Sequence, residues 1–314
     1  MLSTFLAGCG VPSELHPSDL RQLSSKTVVV TGSSSGFGRG VALALGDHGA
    51  NVVLAARRAQ VLEQVAEEVR AAGGVPLVVT TDVSNPADVD RLLNAAISRF
   101  GVIDVWINNA GVTAIGRFEE VPHEDHSRLI DVNLKGAIYG SHAAMRRFRL
   151  QGFGTLVNVS SLVGEVPLAY QASYSASKAG ILALGRALNE EIRLSGSETI
   201  NVATIMPWAA DTPIWMHAAN YTGRVPCMPA MDDPQKTVEA IMWVSLYPRE
   251  ELAVGWKAQM SAFFHNILPD LTERISGNMA HEHFLERGVP VPSDPGNLHD
   301  PMQEGTGVKG DTCN

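Results

Sequence analysis

Cysteine is scarce: the 314 residues hold only Cys9, Cys227 and Cys313, odd in number and far apart. Such spacing builds neither a disulfide framework nor a metal cluster, and it fits a reducing cytoplasm. Basic charge is also short, with 24 Lys and Arg against 33 Asp and Glu and a net charge of −9. The absence of a basic run argues against nucleic acid or an anionic membrane as partner. No apolar stretch approaches the length of a membrane span. Leu6-Ala7-Gly8-Cys9 has the look of a lipoprotein cleavage box, but no Lys or Arg precedes it, so lipidation is not expected.

Hydrophobic residues make up 45% of the chain, enough for a full core. Lys26 to Thr31 is a β-branched apolar run, the pattern of a buried parallel strand. Gly32-Ser33-Ser34-Ser35-Gly36-Phe37-Gly38 follows, and then a helical pattern from Arg39 to His48. A strand, a glycine turn and a helix start form a phosphate cradle: glycine admits close backbone approach, and the helix N-terminus offers N–H groups. Strands at 51–55, 75–80, 103–108, 155–160, 199–205 and 251–255 alternate with helices at 59–72, 86–100, 123–150 and 174–195. The long helix at 123–150 is expected to break or cap before Asp125. Repeated βα units predict an α/β fold, a doubly wound parallel sheet with helices on both faces.

Tyr174 and Lys178 stand four residues apart in Tyr-Ser-Ala-Ser-Lys, and Ser161 lies thirteen residues before the tyrosine. On a helix, positions i and i+4 share a face. An ammonium beside a phenol lowers the phenol's pKa from about 10 toward working pH. Such a tyrosine exchanges protons with a carbonyl or alcohol oxygen, and a nearby hydroxyl polarises the same oxygen. Taken alone, the pair also suits an amphipathic helix with a buried ring and a solvated amine.

Together, Thr31-Gly32-x-x-x-Gly36-x-Gly38, Asp82-Val83, Asn108-Asn109-Ala110-Gly111, Asn133, Ser161, Tyr174-x-x-x-Lys178 and Thr212-Pro213 resemble the short-chain dehydrogenase/reductase family in its shorter, single-domain branch. The pieces occur in family order from about residue 24 to 255. The glycine spacing argues against the sugar-nucleotide epimerase type. The resemblance implies Tyr174 as general acid in reduction and general base in oxidation. It implies Lys178 as the group that depresses the tyrosine pKa and holds the nicotinamide ribose. Ser161 would hydrogen-bond the substrate oxygen, and Asn133 would support a water-linked proton path to Lys178. Cofactor contacts are expected from Gly32, Ser34, Ser35, Gly36, Phe37, Gly38, Arg57, Asp82, Val83, Asn109, Ala110, Gly111, Tyr174, Lys178, Pro207 and Thr212. Among these, Asp82 would meet the adenine, Asn109 and Gly111 the adenosine ribose, and Thr212 the carboxamide.

The second strand ends in Leu54-Ala55-Ala56-Arg57-Arg58, with no carboxylate for a ribose 2′-hydroxyl. Arg57 can instead hold a 2′-phosphate, so NADP(H) is expected over NAD(H), with Arg58 or Ser33 to Ser35 assisting. Pro207-Trp208 departs from the family's Pro-Gly and narrows the expected pocket. The aromatic and methionine content of 208–233 predicts a substrate loop for an apolar carbonyl or alcohol. Imine or enone reduction on the same scaffold, and a non-catalytic NADP(H)-binding regulator, are the competing readings.

Three segments are expected: an N-terminal extension at 1–23, the Rossmann-like domain at 24–255, and a C-terminal extension at 256–314. In the last, apolar helices at 256–287 would pack on the domain or on a second subunit, with peripheral membrane contact the less favoured use. From Gly288 onward an extended arm or flexible tail is expected. The resemblance also implies a homodimer or homotetramer formed through the helices at 123–150 and 174–195.

Overall fold

Val28, Val29 and Val30 are fully buried in the first strand, β1 (Thr27–Thr31), because both faces of the sheet are covered there. The structure, a computed structural model, describes residues 17–310. The lipoprotein-like box at Leu6 to Cys9 lies outside the described residues.

After β1 the chain forms α1 (Gly36–Asp47), β2 (Asn51–Ala56), α2 (Ala59–Ala71), β3 (Val75–Thr80), α3 (Pro86–Phe100) and β4 (Val105–Asn108). It continues through α4 (His123–Ile130), α5 (Gly136–Gln151), β5 (Gly154–Val159), α6 (Ala172–Ser195) and β6 (Ile200–Pro207). The last elements are α7 (Pro234–Leu246), β7 (Glu251–Val254), α8 (Gly255–Ile267) and α9 (Pro269–His281). The strands lie in the order β3-β2-β1-β4-β5-β6-β7, all parallel. Strand order reverses between β1 and β4, which opens a crevice at their carboxyl ends, where ligands of doubly wound sheets bind.

Alternation along each strand divides the core. Val28, Val30 and Leu54 join Val41, Leu62, Val65 and Ile241 on the face covered by α1, α2 and α7. Val29, Val53 and Trp106 join Leu92, Phe148 and Ile192 on the face covered by α3, α5 and α6. A short parallel pair, Ala114–Ile115 with Ala219–Asn220, ties the 208–233 loop to the segment after β4.

The structure corrects several expectations. The helical stretch from His123 breaks at a π-helical turn over Asp131–Lys135, not before Asp125. Asn133 sits in that turn, and inserted turns of this kind gather at functional sites. Helix α7 has no counterpart among the sequence expectations, although Asp233 caps it through Gln235 N at 2.9 Å and Pro234 stands at its first turn. Cys227 is disulfide-bonded, and the other two cysteines lie outside the described residues. Sequence separation does not preclude pairing, so the cysteine argument for a reducing compartment falls away.

Helices α8 and α9 form as expected. They bury Ala258 and Ala280, with Phe284 beyond them, and leave Trp256, Phe263 and Ile275 exposed. No helix among the described residues is long and apolar enough to cross a membrane. Of the two alternatives for the residues after Gly288, residues 288–310 take the extended arm and not the free tail. Asp294 bridges to Asn220, Leu298 is fully buried beside Val83 and Leu129, and Gly310 N donates to Asp211 O at 3.2 Å.

Candidate active site

The carboxyl ends of β1, β4, β5 and β6 surround a cavity of about 260 Å³. One end is lined by Arg57, Asp82 and the glycine turn, the other by Trp208, Trp215, Met228 and Met279. All the expected site residues except Gly38 and Asn133 reach its wall.

The glycine turn forms as the residue types require. Gly32 and Gly36 have φ of +70° and +54°, a region that disfavours side chains. A Cβ on Gly38 would stand 2.3 Å from Gly32 O, so this glycine lets α1 approach the turn from behind the wall. Thr31, the last residue of β1 and the first of the glycine motif, holds the opposite side. Its hydroxyl donates to Ile107 O at 3.1 Å and accepts from Asn109 N at 3.0 Å and Ala110 N at 3.1 Å. Asn109 Nδ2 donates back to Thr31 O at 2.9 Å, so its side chain braces the crevice.

Tyr174 and Lys178 lie on α6 beside Ser161, which follows β5. The Ser161 hydroxyl hydrogen-bonds the Tyr174 phenol. Ser160, the neighbouring candidate, spends its hydroxyl on Lys178 O at 2.8 Å. Lys178 is 4% exposed, and its ammonium donates to Val159 O at 2.9 Å while standing 5.5 Å from the Tyr174 ring centroid. Burial pushes the phenol up to about 12, and the Ser161 bond only partly opposes that. Burial likewise pulls Lys178 down to about 8. These groups do not by themselves lower the tyrosine pKa as the sequence predicts, because the amine bonds a backbone carbonyl and the ring is desolvated.

Asn133 is 1% exposed and fully engaged. Its Oδ1 accepts from Val112 N at 2.8 Å, and its Nδ2 donates to Val112 O at 2.9 Å and Ser177 Oγ at 3.1 Å. A Cβ on Gly111 would lie 3.5 Å from Asn133 Oδ1 and 3.6 Å from Lys178 Nζ, so the asparagine and the ammonium flank one glycine.

At the other end, Asp82 accepts from Ser84 N at 3.0 Å and Ser84 Oγ at 2.7 Å, and it pairs with Arg128 at 2.7 Å. Burial alone would raise its pKa, but Ser84 and Arg128 outweigh that and hold it below the usual carboxylate value. Arg58 is 8% exposed and donates to Ser34 Oγ at 3.0 Å and Ser35 Oγ at 2.9 Å. Arg57 donates to the backbone carbonyls of Asn297, Leu298 and His299, at 2.6, 3.2 and 2.8 Å. The C-terminal contribution to both ends, from Asn297 and Met302 here and from Ser276 and Met279 at the far end, carries no sequence signal.

The positive-φ glycines, the close approach at Gly38 and the helix N-terminus facing the crevice fit a dinucleotide with its pyrophosphate on α1. Arg57, Arg58 and Ser34 fit an anion on the adenosine ribose.

A family model described as short chain dehydrogenase matches residues 26–221. The uncharacterized oxidoreductase YxnA of Bacillus subtilis is 32% identical over 280 residues, covering 88% of this chain and 77% of the relative. An alcohol dehydrogenase from Thermococcus sibiricus, solved with 5-hydroxy-NADP, superposes with a TM-score of 0.63 at 27% identity, covering 73% of this chain and 95% of that one. A short-chain dehydrogenase/reductase from Burkholderia phymatum, solved with NAD, gives a TM-score of 0.70 at 24% identity, with 79% and 95% covered.

Proposed function

The chain belongs to the short-chain dehydrogenase/reductase family, an oxidoreductase family, and from that premise we propose that it reduces an apolar ketone or aldehyde to an alcohol with NADPH. The observation that carries this reading is the placement of Tyr174, Ser161 and Lys178 on one wall of the cavity, between the glycine turn and an apolar end.

Thr212 and Lys178 would hold a bound nicotinamide at its carboxamide and ribose, and that group would supply a hydride to the carbonyl carbon. Ser161 and Tyr174 hold the carbonyl oxygen through their hydroxyls, and the Tyr174 O–H gives it the proton as the alcohol forms. Burial keeps the Tyr174 phenol protonated, so its hydroxyl carries the proton that the substrate oxygen takes up. Lys178 would hold the nicotinamide ribose through its ammonium. Asn133 keeps the π-helical turn and Val112 in place beside Lys178, from where a water chain can return the proton.

Val163, Leu168, Ile214, Trp215, Met228 and Met279 give the far end an apolar wall, which supports an apolar substrate. Trp208 donates to Ala230 O at 3.2 Å and fills the place where the family's glycine would leave space. Arg57, Arg58 and the absence of a carboxylate at the end of β2 support NADP(H). We also read α5 and α6 as the subunit interface, since Ile138, Leu150 and Leu194 are exposed on them. Light scattering tests that assembly. A panel of apolar carbonyls, followed by NADPH absorbance and product analysis, tests the reaction and separates carbonyl reduction from imine or enone reduction.

A further inference from the structure

The C-terminal segment lies on the groups that the nucleotide's phosphates require. Gly36 N, at the start of α1, donates to Gly307 O at 2.9 Å. Arg39 Nη1 donates to Thr306 O at 2.8 Å, and Arg58 Nη1 donates to Met302 O at 3.0 Å and Glu304 O at 3.1 Å. The terminal nitrogens of Arg57 are spent on three further carbonyls, as described above. From 297 to 307 the backbone thus presents a row of partial negative charges to one helix N-terminus and three guanidiniums. This is the same set of donors that a pyrophosphate and a 2′-phosphate would use.

We propose that residues 297–310 form a strap that mimics the phosphates of NADP(H) and excludes the cofactor until it is displaced. The proposal rests on the reading of this crevice as a dinucleotide site. An N–H group that bonds Gly307 O is not free for a pyrophosphate oxygen, and an Arg57 guanidinium shared among three carbonyls is not free for a phosphate. The cavity beneath the strap, about 260 Å³, is smaller than the roughly 300–1,000 Å³ that enclose a drug-sized ligand, and a dinucleotide is larger still.

Side-chain anchors hold the strap by contacts other than those with these donors. Leu298 is fully buried among Val83, Val112 and Leu129. His299 Nε2 lies 2.7 Å from Asp125 Oδ1, and Lys309 Nζ lies 2.7 Å from Asp233 Oδ2. Backbone carbonyls are weaker partners for arginine than phosphate oxygens, so a docked strap can yield to the cofactor. Its cost to the cofactor is the fraction of chains in which the site is open, which scales the apparent affinity directly. Because a closed strap shuts out both dinucleotides, it lowers the apparent affinities for NADPH and NADH by the same fraction, and the 2′-phosphate adds only its own contact with the released Arg57.

The test uses the full chain. Dinucleotide affinity is read by nicotinamide fluorescence for wild type and for Leu298→Ala/Lys309→Glu, which loosens the anchors without touching a phosphate donor. Hydrogen exchange of 297–310 is followed in wild type with and without NADPH. The expected results are at least tenfold tighter NADPH binding in the variant and faster exchange across the strap when NADPH is bound to wild type. Unchanged or weaker binding in a folded variant overturns the strap, as does slower exchange in wild type, and the dinucleotide reading survives either result. Absence of binding to NADPH and NADH by both proteins overturns the strap and that reading together.

Discussion

The ammonium of Lys178 donates to the backbone carbonyl of Val159 at 2.9 Å, which fixes it at the end of β5 beneath the crevice. This bond offsets only part of the cost of a buried cation, and burial pulls the amine from 10.5 to about 8. Below about pH 8 the folded and unfolded chains both carry the proton, so the full penalty is present. Between about 8 and 10.5 the unfolded chain binds more protons, so stability rises with pH through that window. The penalty corresponds to about 3 kcal/mol at 1.36 kcal/mol per pKa unit, of which a lost bond to Val159 O returns about 1–2. Lys178→Met is therefore expected to unfold at a higher temperature than wild type at pH 7, with the advantage shrinking toward pH 10. Calorimetry at the two pH values checks this.

Thr31 serves two backbone donors and one acceptor with a single hydroxyl. Thr31→Val keeps the shape and leaves the Asn109 and Ala110 N–H groups without that acceptor. A loss of about 1–3 kcal/mol is expected. Because both groups brace the crevice, nucleotide affinity should fall as well. Urea unfolding and a binding titration of the same variant measure the two effects.

Gly38→Ala would place a Cβ 2.3 Å from Gly32 O and 2.5 Å from Asn109 Nδ2. The first of these neighbours is backbone and cannot rotate away. Either α1 or the glycine turn must move, so dinucleotide binding is expected to weaken at least tenfold even where the chain still folds. Circular dichroism alongside fluorescence titration separates folding from binding.

Arg57→Ala is expected to lower the ratio of NADPH to NADH affinity by about tenfold or more, the scale of a charge-assisted pair with phosphate. The ratio is the readout because the substitution also removes three contacts to the C-terminal segment, and their loss acts on both nucleotides. An unchanged ratio would reject Arg57 as the 2′-phosphate ligand.

The sheet was legible because its evidence is local. Consecutive β-branched residues mark buried strands, and Gly32, Gly36 and Gly38 mark a turn that only glycine permits. Tyr174, Lys178 and Ser161 were legible because a motif fixes their spacing and the fold brings them to one wall. The π-helical turn at Asp131–Lys135 was not, since it follows from tertiary bonds between Asn133, Val112 and Ser177. The acidity of Tyr174 was misjudged for a related reason. Position i+4 placed Lys178 on the right face but said nothing of the bond to Val159 O or of the ring's burial. Least legible was the C-terminal segment. Its Pro, Gly and Asp content suits a free tail, yet its ordering rests on backbone carbonyls meeting Arg39, Arg57 and Arg58, and a carbonyl is the same in every residue type.

The measurement closest to the central claim is NADPH turnover by Tyr174→Phe beside wild type on an apolar carbonyl that wild type reduces. The substitution removes one hydroxyl and keeps the ring. Proton donation from that oxygen predicts a fall in kcat of at least about 100-fold with NADPH affinity within a few-fold of wild type. A variant that turns over at the wild-type rate would contradict it.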